Sequence, residues 1–164
     1  MQKNVCGQRF GFILFFIISS ILVLDQTTKY LARVELPLHV PVNITSFFNL
    51  FLTYNKGVSF SLFSNNSAYG PVLLALLSIL VSLGIVYWIK KEQNIVLKVA
   101  LTFILGGAIS NVIDRIYLGQ VVDFLDFHAF GYHWPAFNIA DSAICLGAFI
   151  ILTRVFFDKE KEQK

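Results

Sequence analysis

The stretch Ile95-Val96-Leu97-Lys98-Val99-Ala100-Leu101-Thr102-Phe103-Ile104-Leu105-Gly106-Gly107-Ala108-Ile109-Ser110-Asn111-Val112-Ile113-Asp114-Arg115 decides the fold class. It is apolar over about 20 residues, the length a helix needs to cross ~30 Å of hydrocarbon. Only helices or closed barrels satisfy their own backbone inside a bilayer, and a run this continuously apolar does not read as a barrel strand. Its polar residues collect toward the ends, with Asn111, Asp114 and Arg115 together at one of them. Gly106-Gly107, with Ala108 and Ser110, gives this segment a small-residue surface that lets another helix approach closely.

Three more segments of the same length and character occupy residues 10–31, 69–89 and 136–157. The 164-residue chain is 56% hydrophobic and 14% charged. Soluble domains are about half apolar and a quarter charged, so several spans with short connections account better for this balance. The basic start (Lys3, Arg9) and apolar run of the first segment resemble a secretory signal. No small-residue cleavage pattern follows, however, and the helical pattern continues through Asp25-Gln26-Thr27-Thr28-Lys29, so it reads as a retained first span. With the N-terminus inside, nine Lys and Arg (3, 9, 90, 91, 98, 154, 159, 161 and 164) fall inside and four (29, 33, 56 and 115) outside. That asymmetry places both termini in the cytoplasm.

Two outer connections follow from this topology. The first, about 34–68, is long and aromatic. Residues 47–54 and 58–63 suit short strands, with Asn55-Lys56-Gly57 as the turn between them. The second, about 116–135, carries no Lys or Arg. The net charge of +3 is too small and dispersed to suggest nucleic acid. Cys6 and Cys145 are too few for a disulfide framework and lack metal-ligand neighbours. No zinc-protease helix motif or serine-hydrolase elbow is present. His39, His128 and His133 fall in the outer connections without ligand spacing.

Ionisable residues inside spans are costly and point to function. Here the polar residues converge on one layer: Asp25 and Lys29 at the outer end of the first span, Asn111, Asp114 and Arg115 at that of the third, Asn138 and Asp141 opening the fourth. Asp25 and Lys29 are i, i+4 and share a helix face, as do the i, i+3 pairs Asn111/Asp114 and Asn138/Asp141. The Asp25–Lys29 pair reads equally as an ion pair tying helix ends or as a substrate contact. Asp114–Arg115 reads as interfacial anchoring or, through Arg115, as donors for a carbonyl or phosphate. Asp123, Asp126 and Asp141 share the layer. Two close carboxylates cannot both ionise comfortably, so one keeps a proton while the other activates water. The sequence leaves open whether Asp123 and Asp141 meet, and Asp126, three residues from Asp123, competes for the role.

Five segments carry a family resemblance: Asp25-Gln26-Thr27-Thr28-Lys29, Asn55-Lys56-Gly57-Val58-Ser59-Phe60-Ser61, residues 106–115, Val121-Val122-Asp123-Phe124 and Phe137-Asn138-Ile139-Ala140-Asp141-Ser142. In this order and spacing they resemble the motif set of bacterial lipoprotein signal peptidase, or signal peptidase II. The resemblance implies a membrane all-α core of four transmembrane helices, with a small outer β-cradle and a short periplasmic helix or loop, the whole chain forming one membrane protease domain. It implies an inner-membrane aspartyl endopeptidase, its site near the outer face, cutting diacylglyceryl-modified prolipoproteins just before the lipidated cysteine. Asp123 and Asp141 would be catalytic. Asn55, Asn111, Arg115 and Asn138 would bind substrate, with Asp25, Lys29, Gly57 and Asp114 in support. Membrane lipid and globomycin-type inhibitors are the further partners implied; no cofactor, metal or nucleic acid is needed, and a monomer suffices. The rival reading is a small proton-coupled transporter, against which the polar residues line only one boundary layer and leave no continuous path.

Overall fold

The computed structural model describes residues 2–57 and 69–162, with side chains for 10–57, 70 and 72–157. Four helices dominate: α1 (Gln2–Glu35), α2 (Tyr69–Lys91), α3 (Ile95–Leu118) and α4 (Ile139–Glu162). Within them, Phe10–Glu35, Val72–Lys91, Ile95–Leu118 and Ile139–Phe157 are long and apolar enough to cross a membrane. Their outward faces carry large exposed apolar side chains such as Phe12, Phe15, Leu80, Phe149 and Phe156, a surface that lipid would cover. α3 is the central helix: half of its apolar stretch is buried, against 17% or less for the other three.

Close helix packing is bought by glycine. A Cβ on Gly107 would collide with the carbonyl oxygen of Ala140 and come within 2.8 Å of Ile144 on α4. One on Gly106 would come within 2.9 Å of Ile21 on α1, so adjacent glycines seat α3 against two different helices. Gly147 of α4 packs reciprocally on the Ala100 carbonyl and Ile104 of α3. Asn94 opens α3 by accepting the N–H groups of Val96 and Leu97, and Gly119 closes it in the left-handed region (φ 68°) with its N–H bonded to Arg115 O at 3.1 Å.

The remaining elements form a four-stranded antiparallel sheet in the order β1 (Val42–Asn43), β2 (Phe48–Asn55), β3 (Val121–Ala129), β4 (Tyr132–His133). β2 realises the first strand expected in the aromatic loop; the second, 58–63, lies outside the described residues. After β2, the expected turn is present: Gly57 takes a left-handed φ of 77° and its N–H bonds Asn55 Oδ1 at 2.8 Å. The connection after the third span, for which a helix or loop was expected, is instead β3 and β4. Its strand character is hidden in sequence because the first four residues of β3 are all buried, so no apolar–polar alternation shows. α4 also begins at Ile139, three residues beyond the hydropathy boundary, because Phe137 forms an antiparallel bridge with Leu125 and Asn138 caps the helix.

Two apolar clusters bracket the polar layer. Ala32, Leu52, Val122 and Phe124 fasten the sheet to the helix ends, while Ile85, Leu101 and Leu105 fill the bundle farther along. Between them lie Asp25, Lys29, Ser110, Asn111, Asp114 and Asn138, all buried.

Candidate active site

The first turn of α4 presents Asp141. Asn138 stands at the N-cap position: its Oδ1 accepts the Asp141 N–H at 2.8 Å, and its own N–H reaches back to Asp141 Oδ2 at 3.3 Å. This reciprocal pair is a capping box in which the residue three positions in is an aspartate. Asn111 of α3 donates to the other oxygen, Asp141 Oδ1, at 2.8 Å. Both oxygens of Asp141 are therefore aimed by neighbours from two helices, while its side chain remains partly accessible.

Asp123 arrives from β3. The Leu125–Phe137 bridge lays the residues before α4 alongside β3, and this brings Asn138 over Asp123. Asn138 Nδ2 donates to Asp123 Oδ1 at 2.7 Å, and lies 3.3 Å from both Val122 O and Asn111 Oδ1. One asparagine thus touches both aspartates. Asp123 is 2% exposed. Burial first, then the neighbouring charge of Asp141, pushes its carboxyl up to about 6, against the pull of hydrogen bonds from Asn55 and Asn138 and of the Lys29 charge. A buried acid beside a second, partly accessible carboxylate is an arrangement that can hold one proton and orient one water.

Beneath this pair, α1 supplies a cross-brace. All three protons of the Lys29 ammonium are used: on Asp25 Oδ2 (2.7 Å), Asp114 Oδ2 (2.9 Å) and Asn111 Oδ1 (3.0 Å). Asp25 in turn accepts Ser110 Oγ–H at 2.7 Å and the Ala140 N–H at 2.7 Å, which satisfies an otherwise orphaned amide in the first turn of α4. Asp114 Oδ2 also takes the Val122 N–H at 3.1 Å, next to Asp123. The Asp25–Lys29 pair therefore joins α1, α3 and α4, and Asp114 joins α1, α3 and β3.

Of the remaining expected residues, Arg115 is half-buried with Nη1 on Asn111 O at 3.2 Å. Asn55 is exposed at the end of β2. Gly57 packs its backbone on Leu74 of α2, where a Cβ would collide. Asp126 is on the opposite face of β3, as three-residue spacing along a strand requires. There it bonds Asn49 Nδ2 (2.9 Å) and His133 Nδ1 (2.8 Å). Burial raises its carboxyl, but the bonds from His133 and Asn49, with the two imidazoles, more than offset this and hold it below the usual range.

Sequence reasoning did not single out Gln26 or Ser110. Gln26 Nε2 donates to Asp114 Oδ1 at 2.9 Å and Ser110 Oγ at 3.1 Å. The signal was present, since Gln26 lies three residues before Lys29 and Ser110 four before Asp114, each pair on one helix face. Ser110 read only as a small packing residue. Among the described residues no group of three or more His, Cys, Asp or Glu is arranged to hold a metal.

Residues 17–157 match the family model described as signal peptidase (SPase) II. The chain is 46% identical over 145 residues to the lipoprotein signal peptidase of Francisella tularensis subsp. novicida, covering 86% of this chain and 89% of that protein. It is 46% identical over 134 residues to the lipoprotein signal peptidase of Teredinibacter turnerae, covering 80% of each. Two solved structures described as bacterial membrane enzymes superpose with TM-scores of 0.80 and 0.79 at 28% and 29% identity. They cover 91% and 87% of this chain, and 90% and 92% of theirs.

Proposed function

This chain belongs to the signal peptidase II family, and from that premise we propose that it cuts diacylglyceryl-modified prolipoproteins just before the lipidated cysteine, using Asp123 and Asp141 as an aspartyl pair. The membership makes it a multi-pass membrane peptidase of lipoprotein processing. The observation that carries the finer reading is the single residue Asn138, whose side-chain Nδ2 donates to Asp123 Oδ1 at 2.7 Å and whose backbone N–H donates to Asp141 Oδ2 at 3.3 Å.

In this mechanism the buried Asp123 holds the proton and Asp141 takes one from the attacking water. Asp123 protonates the departing amine as the tetrahedral intermediate collapses. Asn55 and Arg115 border the substrate groove, with Arg115 supplying donors to a substrate carbonyl, and the buried Asn111 and Asn138 act on the substrate through the aspartates they hold. Asp25, Lys29, Gly57 and Asp114 hold the frame. The acyl chains of the substrate stay in lipid while the scissile bond reaches the polar layer, which lies near the outer membrane face with both termini cytoplasmic. The whole chain works as one domain, a monomer suffices, and a globomycin-type cyclic peptide would block the pair.

The test is cleavage of a diacylglyceryl-modified prolipoprotein by purified protein in detergent. Wild type is expected to cut before the lipidated cysteine, and Asp123→Asn and Asp141→Asn to fold yet lose at least about 10²-fold in rate. Normal cutting by either variant would remove that residue from the mechanism. A wild type that does not cut this substrate would remove the substrate assignment.

A further inference from the structure

A cleft of about 270 Å³ opens between α1 and α3 at the sheet end of the bundle. Its mouth carries Tyr30, Arg33 and Tyr117, all exposed, and Ile113, Leu118 and Val122 form its apolar wall. We propose that this cleft binds the phosphodiester headgroup of a membrane phospholipid, with the Arg33 guanidinium as its principal ligand.

Among the described residues Arg33 makes no hydrogen bond or ion pair, although it stands in the last turn of α1. Its placement at a helix C-terminus is favourable for the helix but occupies none of its five N–H donors. One turn closer to the apolar span, Lys29 also faces the cleft. It is unavailable to a ligand, because its three protons are on Asp25, Asp114 and Asn111. Asp114 lies on the floor, with its oxygens bonded to Gln26, Lys29 and the Val122 amide. An anion seated here therefore meets Arg33 and the tyrosine hydroxyls at the mouth, and the satisfied carboxylate stays below it.

The level is also right for a headgroup. Arg33 is four residues beyond Lys29, about 6 Å along the axis past the polar layer that ends the apolar bundle. Tyr30 and Tyr117 sit where amphipathic rings collect at a membrane boundary. Nearer the span Val23 of α1 is exposed and apolar, as is Ile116 beside Tyr117 on α3, surfaces suited to acyl chains. A guanidinium matches two phosphate oxygens at once, and a diester carries the single negative charge that one arginine offsets.

The test uses the full chain purified in dodecyl maltoside and three ligands: phosphatidylglycerol, diacylglycerol with the same chains, and inorganic phosphate. Binding is followed by native mass spectrometry and by the thermal unfolding midpoint. Phosphatidylglycerol is expected to bind saturably and raise the midpoint, with affinity about tenfold weaker in Arg33→Gln. Tyr117→Phe, which keeps the ring and loses the hydroxyl, is expected to weaken it less. Undiminished binding by Arg33→Gln would overturn the proposal. So would an equal response to diacylglycerol, which would make the chains the ligand, or to inorganic phosphate alone, which would make the site one for the free ion.

Discussion

Asp123 sits where ionisation is costly, and the cost has a sign that can be measured. Its carboxyl is raised to about 6 by burial and by the charge of Asp141. A folded-state value above the unfolded one means the native protein binds that proton more tightly. The group therefore weakens the fold above about pH 6, and the penalty is relieved as pH falls through 6 toward the unfolded value near 3.8. Asp123→Asn, which keeps an acceptor for Asn138, is expected to unfold at an equal or higher temperature than wild type at pH 8. That advantage should shrink below pH 6; thermal unfolding across pH 4–9 checks it, and a constant offset would contradict it. Asp126 belongs to the other face of β3, bonded to Asn49 and His133. Asp126→Asn is accordingly expected to keep cleavage within a few-fold of wild type, because its side chain is on the face of β3 away from Asp123 and Asn138. Near-total loss with normal folding would return Asp126 to contention.

At the level of elements, the start of α4 concentrates the most consequence in the fewest residues. Asn138 is fully buried and caps the helix, aims Asp141 and contacts Asp123. Loss of a cap side chain costs about 1 kcal/mol, and unpaired buried groups add to it. Asn138→Ala should therefore lower the unfolding midpoint and reduce kcat far more than KM, since the substrate groove keeps its residues. Steady-state cleavage kinetics with a parallel melt separate the two effects. Asn138→Ser keeps a cap oxygen but is too short to reach Asp123; recovery of the melt without recovery of the rate would assign the kinetic role to the amide donor, and recovery of both would contradict it.

Across the whole molecule, α3 is the axle, and contact between helices is set by missing side chains. Gly107→Leu would drive a side chain into the Ala140 carbonyl, one residue from Asp141, so helix packing and cleavage are expected to fail together. Gly84→Ala is the control: nothing lies within 4 Å of its Cβ, and alanine is the better helix former by about 1 kcal/mol. Detergent melts of both, with cleavage, test whether packing positions the site. Four apolar helices and a polar layer at one end of them are written in local runs of residues, because the hydrocarbon length and the cost of buried charge act on such runs. Asp25, Lys29, Asn111, Asp114, Asn138 and Asp141 were legible for that reason. The tertiary structure alone decided that residues 121–129 are a strand, since burial on both faces erases the alternation that would reveal it. It alone separated Asp123 from Asp126 and brought Asp123 to Asn138, because strand pairing and the Leu125–Phe137 bridge join residues far apart along the chain. No local pattern encodes such contacts; they exist only once the sheet is docked on the helix ends.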